Sequence, residues 1–314
     1  GGGLGMVMSG LIIDQVSWRW LFVAGAVIGV VAMALVARYV PPSPHRAPAV
    51  LDIPGALLLS AGLVAVLVAL TEGRGWGWGS GRFVGVLLAG LVIIVIWGVV
   101  ETRTAQPLVD MRMLARRPVL LTNLAGLFCG FAMYATFTVL PLFAQMPHGL
   151  PDALAGRVDY GYDATATMAA LLMLPAAALM VPAGPWGGLL GRRIGYRFAL
   201  ALGMLVAAAG TAAFAAFHAH RWQLVVFYAV GAAGVAIAFG AMPKLIADAA
   251  APTETGIATG MNTVVRTIGS AIGAQVAVTL LAARTIPGTP VPAVDGFTLS
   301  LWLDPLGDAL MVTV

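Results

Sequence analysis

Eight long, uninterrupted apolar runs constrain the fold of this sequence more than any motif does. They cover residues 20–40, 54–70, 83–100, 119–143, 164–190, 198–217, 222–242 and 256–283. The hydrocarbon core of a bilayer is about 30 Å thick, so a helix needs roughly 20 apolar residues to cross it. Because the runs are continuous and do not alternate, they indicate helices rather than the strands of a β-barrel. The sequence therefore predicts an all-α polytopic membrane protein.

The composition agrees with this class and argues against others. Hydrophobic residues make up 60% of the 314 positions, and charged residues only 10%. The net charge of +4 is spread over short loops without a basic block, so we expect no nucleic-acid partner. Cys129 is the only cysteine, which excludes an intrachain disulfide.

Catalytic and cofactor motifs are absent from the sequence. Lys244 is the only lysine and follows a proline, so there is no GxxxxGK(S/T) phosphate-binding loop. There is also no HExxH, CxxC or GxSxG. We expect His218 and His220, in a predicted external loop, to be surface residues, because no further metal ligands lie nearby. The sequence therefore predicts neither an enzyme nor a metal or cofactor site.

Both ends of the sequence are unusual for a complete helical bundle. The chain opens with GGGLGMVMSGLII instead of methionine, a stretch typical of the second half of a membrane helix. We therefore expect a fragment that begins inside a helix. A segment from Gly296 is interrupted by Asp304, Pro305 and Asp308, so a ninth complete span there is doubtful.

The distribution of Lys and Arg predicts the orientation in the membrane. Arg266 lies inside an apolar run, and the other basic residues divide unequally between the two alternating sets of loops and helix ends. The larger set comprises Arg38, Arg46, Arg103, Arg112, Arg116, Arg117, Arg192, Arg193, Arg197 and Lys244. Because cytoplasmic loops carry an excess of Lys and Arg, we predict that this set is cytoplasmic.

Arg266 shares one side of the last apolar run with polar and small residues. At about 100° per residue, a sector of roughly 80° contains Thr255, Thr259, Asn262, Arg266, Gly269 and Gly273. A rise of about 1.5 Å per residue puts Arg266 on the order of 15 Å deep. A charge there costs about 2.5 to 3.5 kcal/mol, so we expect Arg266 to face the bundle interior. Two roles fit: bonding carbonyl groups between helices, or a direct part in transport.

A second polar stripe lies on the run 119–143 and just beyond it. A sector of roughly 80° contains Asn123, Gly130, Tyr134, Thr138, Pro141 and Gln145. Uncharged hydrogen-bonding groups along one face are typical of a helix that lines a wet cavity. Hydrogen bonding between helices is the alternative.

Several segments, in this order and spacing, resemble the major facilitator superfamily, and specifically its fourteen-span drug:proton antiporter branch. They are SWRWLF (17–22), DIPGALLLSAGL (52–63), LTEGRGWGWGS (70–80), PLVDMRML (107–114), LPLFAQ (140–145) and MNTVVRTIG (261–269). The resemblance covers nearly the whole chain to about residue 300. It implies a major-facilitator-type helical bundle that is incomplete at the N-terminus.

Two family motifs are present in altered form. The cytoplasmic gate motif G-x-L-x-D-R-x-G-x-R is similar to Gly188, Leu190, Arg192, Arg193, Gly195 and Arg197, so Arg192 occupies the aspartate position. The antiporter motif GPxxGG is similar to GMVMSG, from Gly5 to Gly10, with Met6 in place of proline and Ser9 in place of glycine.

The resemblance also implies a three-part organisation. Residues 1–40 would end an N-terminal bundle, with part of span five and all of span six. Residues 41–117 would be a central region with two extra spans, and residues 118–314 a C-terminal six-helix bundle with a doubtful last span. The missing N-terminal helices of the same protein are therefore expected partners, and this chain alone should not transport.

By the same resemblance, the protein would be a multi-pass exporter in the plasma membrane. It would exchange hydrophobic or cationic small molecules for protons by alternating access. The side chains expected to line or control the path are Asn123, Tyr134, Thr138, Gln145, Asn262 and Arg266. The apolar runs contain no carboxylate, so we expect the coupling carboxylate outside them; Asp304 and Asp308 are the candidates in this sequence.

Two alternatives stay open. A facilitator or importer of the same fold would carry another solute down its own gradient, without proton counterflow. A non-transporting membrane scaffold would have the polar stripes but no coupled flux.

Overall fold

A computed structural model describes residues 2–39, 52–104, 107, 109, 111–146, 160–250, 255–286 and 291–302. The helices are α1 (Gly2–Gln15), α2 (Arg19–Tyr39), α3 (Ile53–Trp76), α4 (Gly81–Glu101), α5 (Met111–Leu114), α6 (Arg117–Gln145), α7 (Ala166–Ile194), α8 (Tyr196–Ala216), α9 (Arg221–Ala249) and α10 (Thr255–Ala283). Residues 294–302 are also helical.

The eight predicted spans are all present. Helices α2 to α4 and α6 to α10 are long and apolar enough to cross a membrane, and each contains most or all of one predicted run. This confirms the predicted all-α polytopic class. Helix α1, with 14 residues, is too short to span a bilayer by itself. Asp304, Pro305 and Asp308, which interrupt the doubtful last segment, lie outside the described residues.

Local chemistry determines where several helices begin. Asp52, Ser80 and Thr165 precede α3, α4 and α7, and their side chains accept hydrogen bonds from amides three residues ahead, at 2.9, 3.1 and 3.2 Å. Helix α7 is continuous through its internal prolines, because neighbouring helices support its backbone. It ends at Gly195, whose φ of +95° favours glycine. The α7–α8 junction is therefore a tight turn.

The helices pack in a few close pairs. Helix α6 lies along α10, and α9 packs against both α7 and α8. Helices α3 and α4 form a hairpin, and α3 also touches α10. Helix α1 packs along α7. Helix α2 buries none of its residues against the described part of the chain. Most buried side chains therefore lie between α6, α7, α8, α9 and α10.

Glycines let α6 and α10 approach each other closely. A β-carbon on Gly130 of α6 would collide with the carbonyl oxygen of Arg266 on α10. From the other side, β-carbons on Gly269 and Gly273 would collide with the carbonyl oxygens of Leu127 and Phe131. Lipid chains are as apolar as leucine, so membrane helices associate through such close packing rather than through the hydrophobic effect. These glycines therefore determine the spacing between α6 and α10.

An aromatic cluster surrounds Phe143, near the C-terminal end of α6. Phe143 is fully buried, and its ring contacts Tyr160, Tyr162, Phe214, His218 and Phe297 at centroid distances of 5.4 to 5.6 Å. His218 is thus partly buried, not a surface residue as expected, because α8 ends beside Phe143. Burial raises the pKa of Tyr160 to about 12, and its hydroxyl donates a hydrogen bond to the Pro292 carbonyl at 2.6 Å.

We predict that Gly273→Ala lowers the free energy of unfolding in detergent by about 1 to 3 kcal/mol, because the added methyl group forces the α6 and α10 backbones apart. Gly260→Ala on the same helix is the matched control. A β-carbon at Gly260 meets nothing within 4 Å. Its expected effect is neutral, or stabilising by up to about 1 kcal/mol from helix propensity. Equal stability of the two variants would contradict the packing role.

Candidate functional site

Arg266 is half-buried on α10, and its guanidinium lies over the ring of Phe239 on α9, 4.9 Å from the ring centroid. None of the described residues gives this guanidinium a carboxylate or a hydrogen-bond acceptor. A cation over an aromatic face gains about 0.5 to 2 kcal/mol, which offsets only part of the cost of a charge at membrane depth. The stacked position therefore holds a positive charge that is only partly compensated.

The predicted stripe on α10, together with Thr263 and Thr267 beside it, divides into two faces. Asn262, Gly269 and Gly273 are buried against α6. Thr259, Thr263 and Thr267 are exposed, and each hydroxyl donates to the carbonyl four residues earlier, at 2.8, 3.1 and 2.9 Å.

Arg266 lies between these two faces, and its carbonyl also accepts a hydrogen bond from Ser270 at 2.9 Å. Helix α10 thus combines a packing face with an exposed polar face at the depth of Arg266. The predicted stripe contained the buried residues and Thr259, but not Thr263 and Thr267, which lie beyond its sector of roughly 80°.

Asn123 and Asn262 meet inside the α6–α10 contact. The Asn262 amide donates to the Asn123 side-chain oxygen and to the Thr122 carbonyl, both at 3.1 Å. The two asparagines are 5% and 4% exposed. Gly126 leaves the space that the Asn262 amide occupies. In this conformation both side chains link helices, and neither reaches an open surface.

Gly130 of the α6 stripe is buried against α10, whereas Tyr134, Thr138 and Gln145 lie on a more open side of the helix. Tyr134 is 46% exposed, and its ring contacts Phe137 at a centroid distance of 6.1 Å. Thr138 and Gln145 hydrogen-bond carbonyl groups of their own helix, at 2.7 and 3.0 Å. These three side chains are therefore accessible to a solute, whereas Asn123 is not.

The sequence comparisons agree with this architecture. A family model described as the Major Facilitator Superfamily matches residues 1–274. The chain belongs to the major facilitator superfamily. This membership, together with the eight long apolar helices of the described residues, identifies a multi-pass membrane protein.

Curated relatives are named as drug transporters and resistance proteins. The chain is 25% identical over 285 residues to the multidrug transporter protein MdtP of Bacillus subtilis, covering 90% of this chain and 50% of that protein. It is 27% identical over 281 residues to the multidrug resistance protein Stp of Mycobacterium tuberculosis, covering 89% and 50%. It is 28% identical over 277 residues to the methylenomycin A resistance protein of Streptomyces coelicolor, covering 86% and 54%. The chain spans about half the length of these relatives.

The segment predicted to be the gate motif surrounds the α7–α8 turn. Arg192 and Arg193 are exposed in the last turn of α7, and Arg197 is exposed in the first turn of α8. Within the described ranges, none of these guanidiniums is in an ion pair or hydrogen bond. Gly188 faces the Gly240 carbonyl of α9 at an ordinary contact distance. The acidic partner of the family motif is replaced by Arg192, so the motif here is wholly basic.

The antiporter-like motif lies where α1 meets α7. A β-carbon on Gly10 would clash with the backbone of Thr167, whereas Gly5 has open space around it. One turn beyond Gly10, the Asp14 carboxylate accepts a hydrogen bond from the Thr167 amide at 2.8 Å. This carboxylate therefore caps the start of α7 from another helix, a contact that the motif spacing did not predict.

Glu101 is a site that the sequence prediction missed. The helices extend beyond the apolar runs, so Glu101 is the last residue of α4 rather than a loop residue. It is 2% exposed, the only buried charged side chain within the described ranges. Its carboxylate accepts hydrogen bonds from the Trp97 indole at 2.9 Å and from the Val109 amide at 3.5 Å. The i, i+4 spacing of Trp97 and Glu101 was the available signal.

We predict that Asn123 and Asn262 stabilise the fold as a pair. In a double-mutant cycle, Asn123→Ala and Asn262→Ala should give a coupling energy of about 0.6 to 1.7 kcal/mol, the range for hydrogen bonds between membrane helices. The measurement is unfolding in detergent. Gln145→Ala combined with Asn262→Ala is the control and should be additive, because Gln145 bonds its own helix. Additivity in both cycles would disprove the pairing.

We also predict that Glu101→Ala lowers the free energy of unfolding by about 1 to 3 kcal/mol for each buried donor left unpaired. Glu101→Gln should lose less, because the amide oxygen still accepts from Trp97. Glu72→Ala, at an exposed position near the end of α3, is the control and should be near neutral. If Glu101→Ala and Glu72→Ala had the same stability, the anchoring role would be wrong.

Proposed function

We propose that this chain is the C-terminal portion of a proton-coupled exporter of hydrophobic or cationic small molecules in the plasma membrane. The observation that most directly supports this proposal is the open polar face of α10, where exposed threonines flank a half-buried arginine inside a membrane helix. Such groups are rare in membrane helices unless they face protein or a water-filled path. The names of the relatives, which include multidrug transport and antibiotic resistance, support export over import.

We place the described helices in the fourteen-span branch as follows. Helices α1 and α2 are the end of the N-terminal bundle, α3 and α4 are the two extra central spans, and α6 to α10 belong to the C-terminal bundle. The separate α3–α4 hairpin and the close packing of α6 to α10 support this division. In the transport cycle the C-terminal bundle rocks against the N-terminal one around a midplane site.

In this proposal, Tyr134, Thr138 and Gln145 on α6 and Arg266 on α10 contact or control the solute. Asn123 and Asn262 act differently, because they hold the two path-lining helices together. The charge on Arg266 repels a cationic solute in the conformation described, so such a solute requires a countercharge from beyond the described residues. We also assign the proton-coupling carboxylate to residues beyond the described ranges. The Glu101 carboxylate is not a candidate, because it already accepts hydrogen bonds from Trp97 and Val109.

We predict that Arg266→Gln reduces dye export about tenfold or more, equivalent to a lost interaction of at least about 1.4 kcal/mol. Arg266→Lys should restore part of the activity, because it keeps the charge but not the flat guanidinium that stacks on Phe239. The measurement is efflux of a hydrophobic fluorescent dye from cells that express the protein from its own complete gene. Arg284→Gln, at an exposed position beyond α10, is the matched control and should export normally.

Membrane abundance of each variant separates loss of function from loss of folding. Export by Arg266→Gln at the control level would reduce Arg266 to a packing residue. Collapse of the pH gradient should stop export by the unmodified protein. Flux that continues down the dye gradient would instead identify a facilitator, and absence of any dye flux would identify a scaffold.

A further inference from the structure

A large groove lies on the side of the bundle between α6 and α8, with Leu245 of α9 at its edge. Its volume is about 730 Å³, within the range of small-molecule sites. The wall is apolar along most of its length and includes Leu121, Leu124, Phe128 and Ala201. This groove is separate from the Arg266 face, because no residue of α10 lines it.

Two arginines lie at one end of the groove. Arg117 is the first residue of α6, and Arg197 is in the first turn of α8. Both are exposed, and neither side chain bonds an acceptor or carboxylate in the described parts of the chain. The Arg197 guanidinium is stacked over the ring of Phe198, 4.6 Å from its centroid, which fixes its position at the groove. The end of the groove is thus a site with two uncompensated positive charges.

The length of the groove matches one leaflet of a bilayer. From Arg117 to Phe128, α6 rises about 16 Å at roughly 1.5 Å per residue, close to half of a hydrocarbon core about 30 Å thick. The arginines therefore lie at the level of the lipid headgroups when Phe128 lies near the midplane. They belong to the basic set of loops and helix ends, which the positive-inside rule assigns to the cytoplasmic leaflet.

We propose that this groove binds one anionic phospholipid of the cytoplasmic leaflet. Its phosphate group lies between Arg117 and Arg197, and an acyl chain lies along Leu121, Leu124 and Phe128. Basic pockets between membrane helices on the cytoplasmic side recognise such headgroups. A free phosphate ion would match the arginines but leave the apolar wall uncovered, and a zwitterionic lipid would leave the two positive charges only partly compensated.

The test is native mass spectrometry of the complete purified protein in mixed micelles with either phosphatidylglycerol or phosphatidylcholine. We expect one phosphatidylglycerol to be retained under activation that removes phosphatidylcholine. The double variant Arg117→Gln/Arg197→Gln should lower this retention about 30-fold, because two arginines near an anionic headgroup are lost. Arg192→Gln, which removes an exposed arginine that does not line the groove, is the control and should retain the lipid.

A second variant tests the acyl-chain part of the groove without changing charge. Ala201→Phe fills the wall and should lower phosphatidylglycerol retention while the protein remains folded by circular dichroism. Equal retention of the two lipids, or unchanged retention in both variants, would overturn the proposal. Release of the bound lipid by inorganic phosphate alone, with Ala201→Phe still binding, would identify an anion site that does not use the apolar wall and would also overturn it.

Discussion

The close contact between α6 and α10 is the interaction on which the candidate site depends. In a hydrocarbon solvent, helices gain little from burying apolar side chains against each other, so backbone proximity has to supply the attraction. Gly130, Gly269 and Gly273 allow this proximity, and the Asn123–Asn262 hydrogen bond adds direction to it. The contact fixes the rotation of α10 about its axis. That rotation determines which polar residues are buried and which remain open.

Arg266 illustrates how this packing creates a functional position. With the glycine face of α10 against α6, the half-buried guanidinium stacks on Phe239 of α9. It is held by two helices but neutralised by no acidic side chain within the described ranges. In the proposed function, such a charge would respond to a countercharge that a solute or a second bundle brings close. The exposed threonine face of α10 lies beside it.

The arginines around the α7–α8 turn are divided between two surfaces of the bundle. Arg192, Arg193 and Arg197 belong to the segment that resembles the superfamily gate motif, but Arg197 also lines the lateral groove with Arg117. One motif therefore supplies residues to two surfaces, because the tight turn at Gly195 separates the end of α7 from the start of α8. The proposed lipid site at the groove and the proposed solute path near Arg266 therefore lie on different surfaces of the bundle.

The sequence by itself determined the membrane class and all eight spans, because bilayer thickness imposes a length on every apolar run. It also identified Arg266 and the Asn123 stripe, since a polar group in such a run is costly wherever it points. The sequence could not show which residues of either stripe are buried and which are exposed. Helix periodicity indicates which residues share one side of a helix, but not which neighbouring helix packs against that side.

Tertiary structure alone decided that Asn123 pairs with Asn262 and that Arg266 stacks on Phe239. It also showed that Glu101, which lies past the last apolar residue of its run, is buried as a hydrogen-bond anchor. Each of these contacts joins residues on different helices or beyond an apolar run, and their partners are set by how closely the backbones approach.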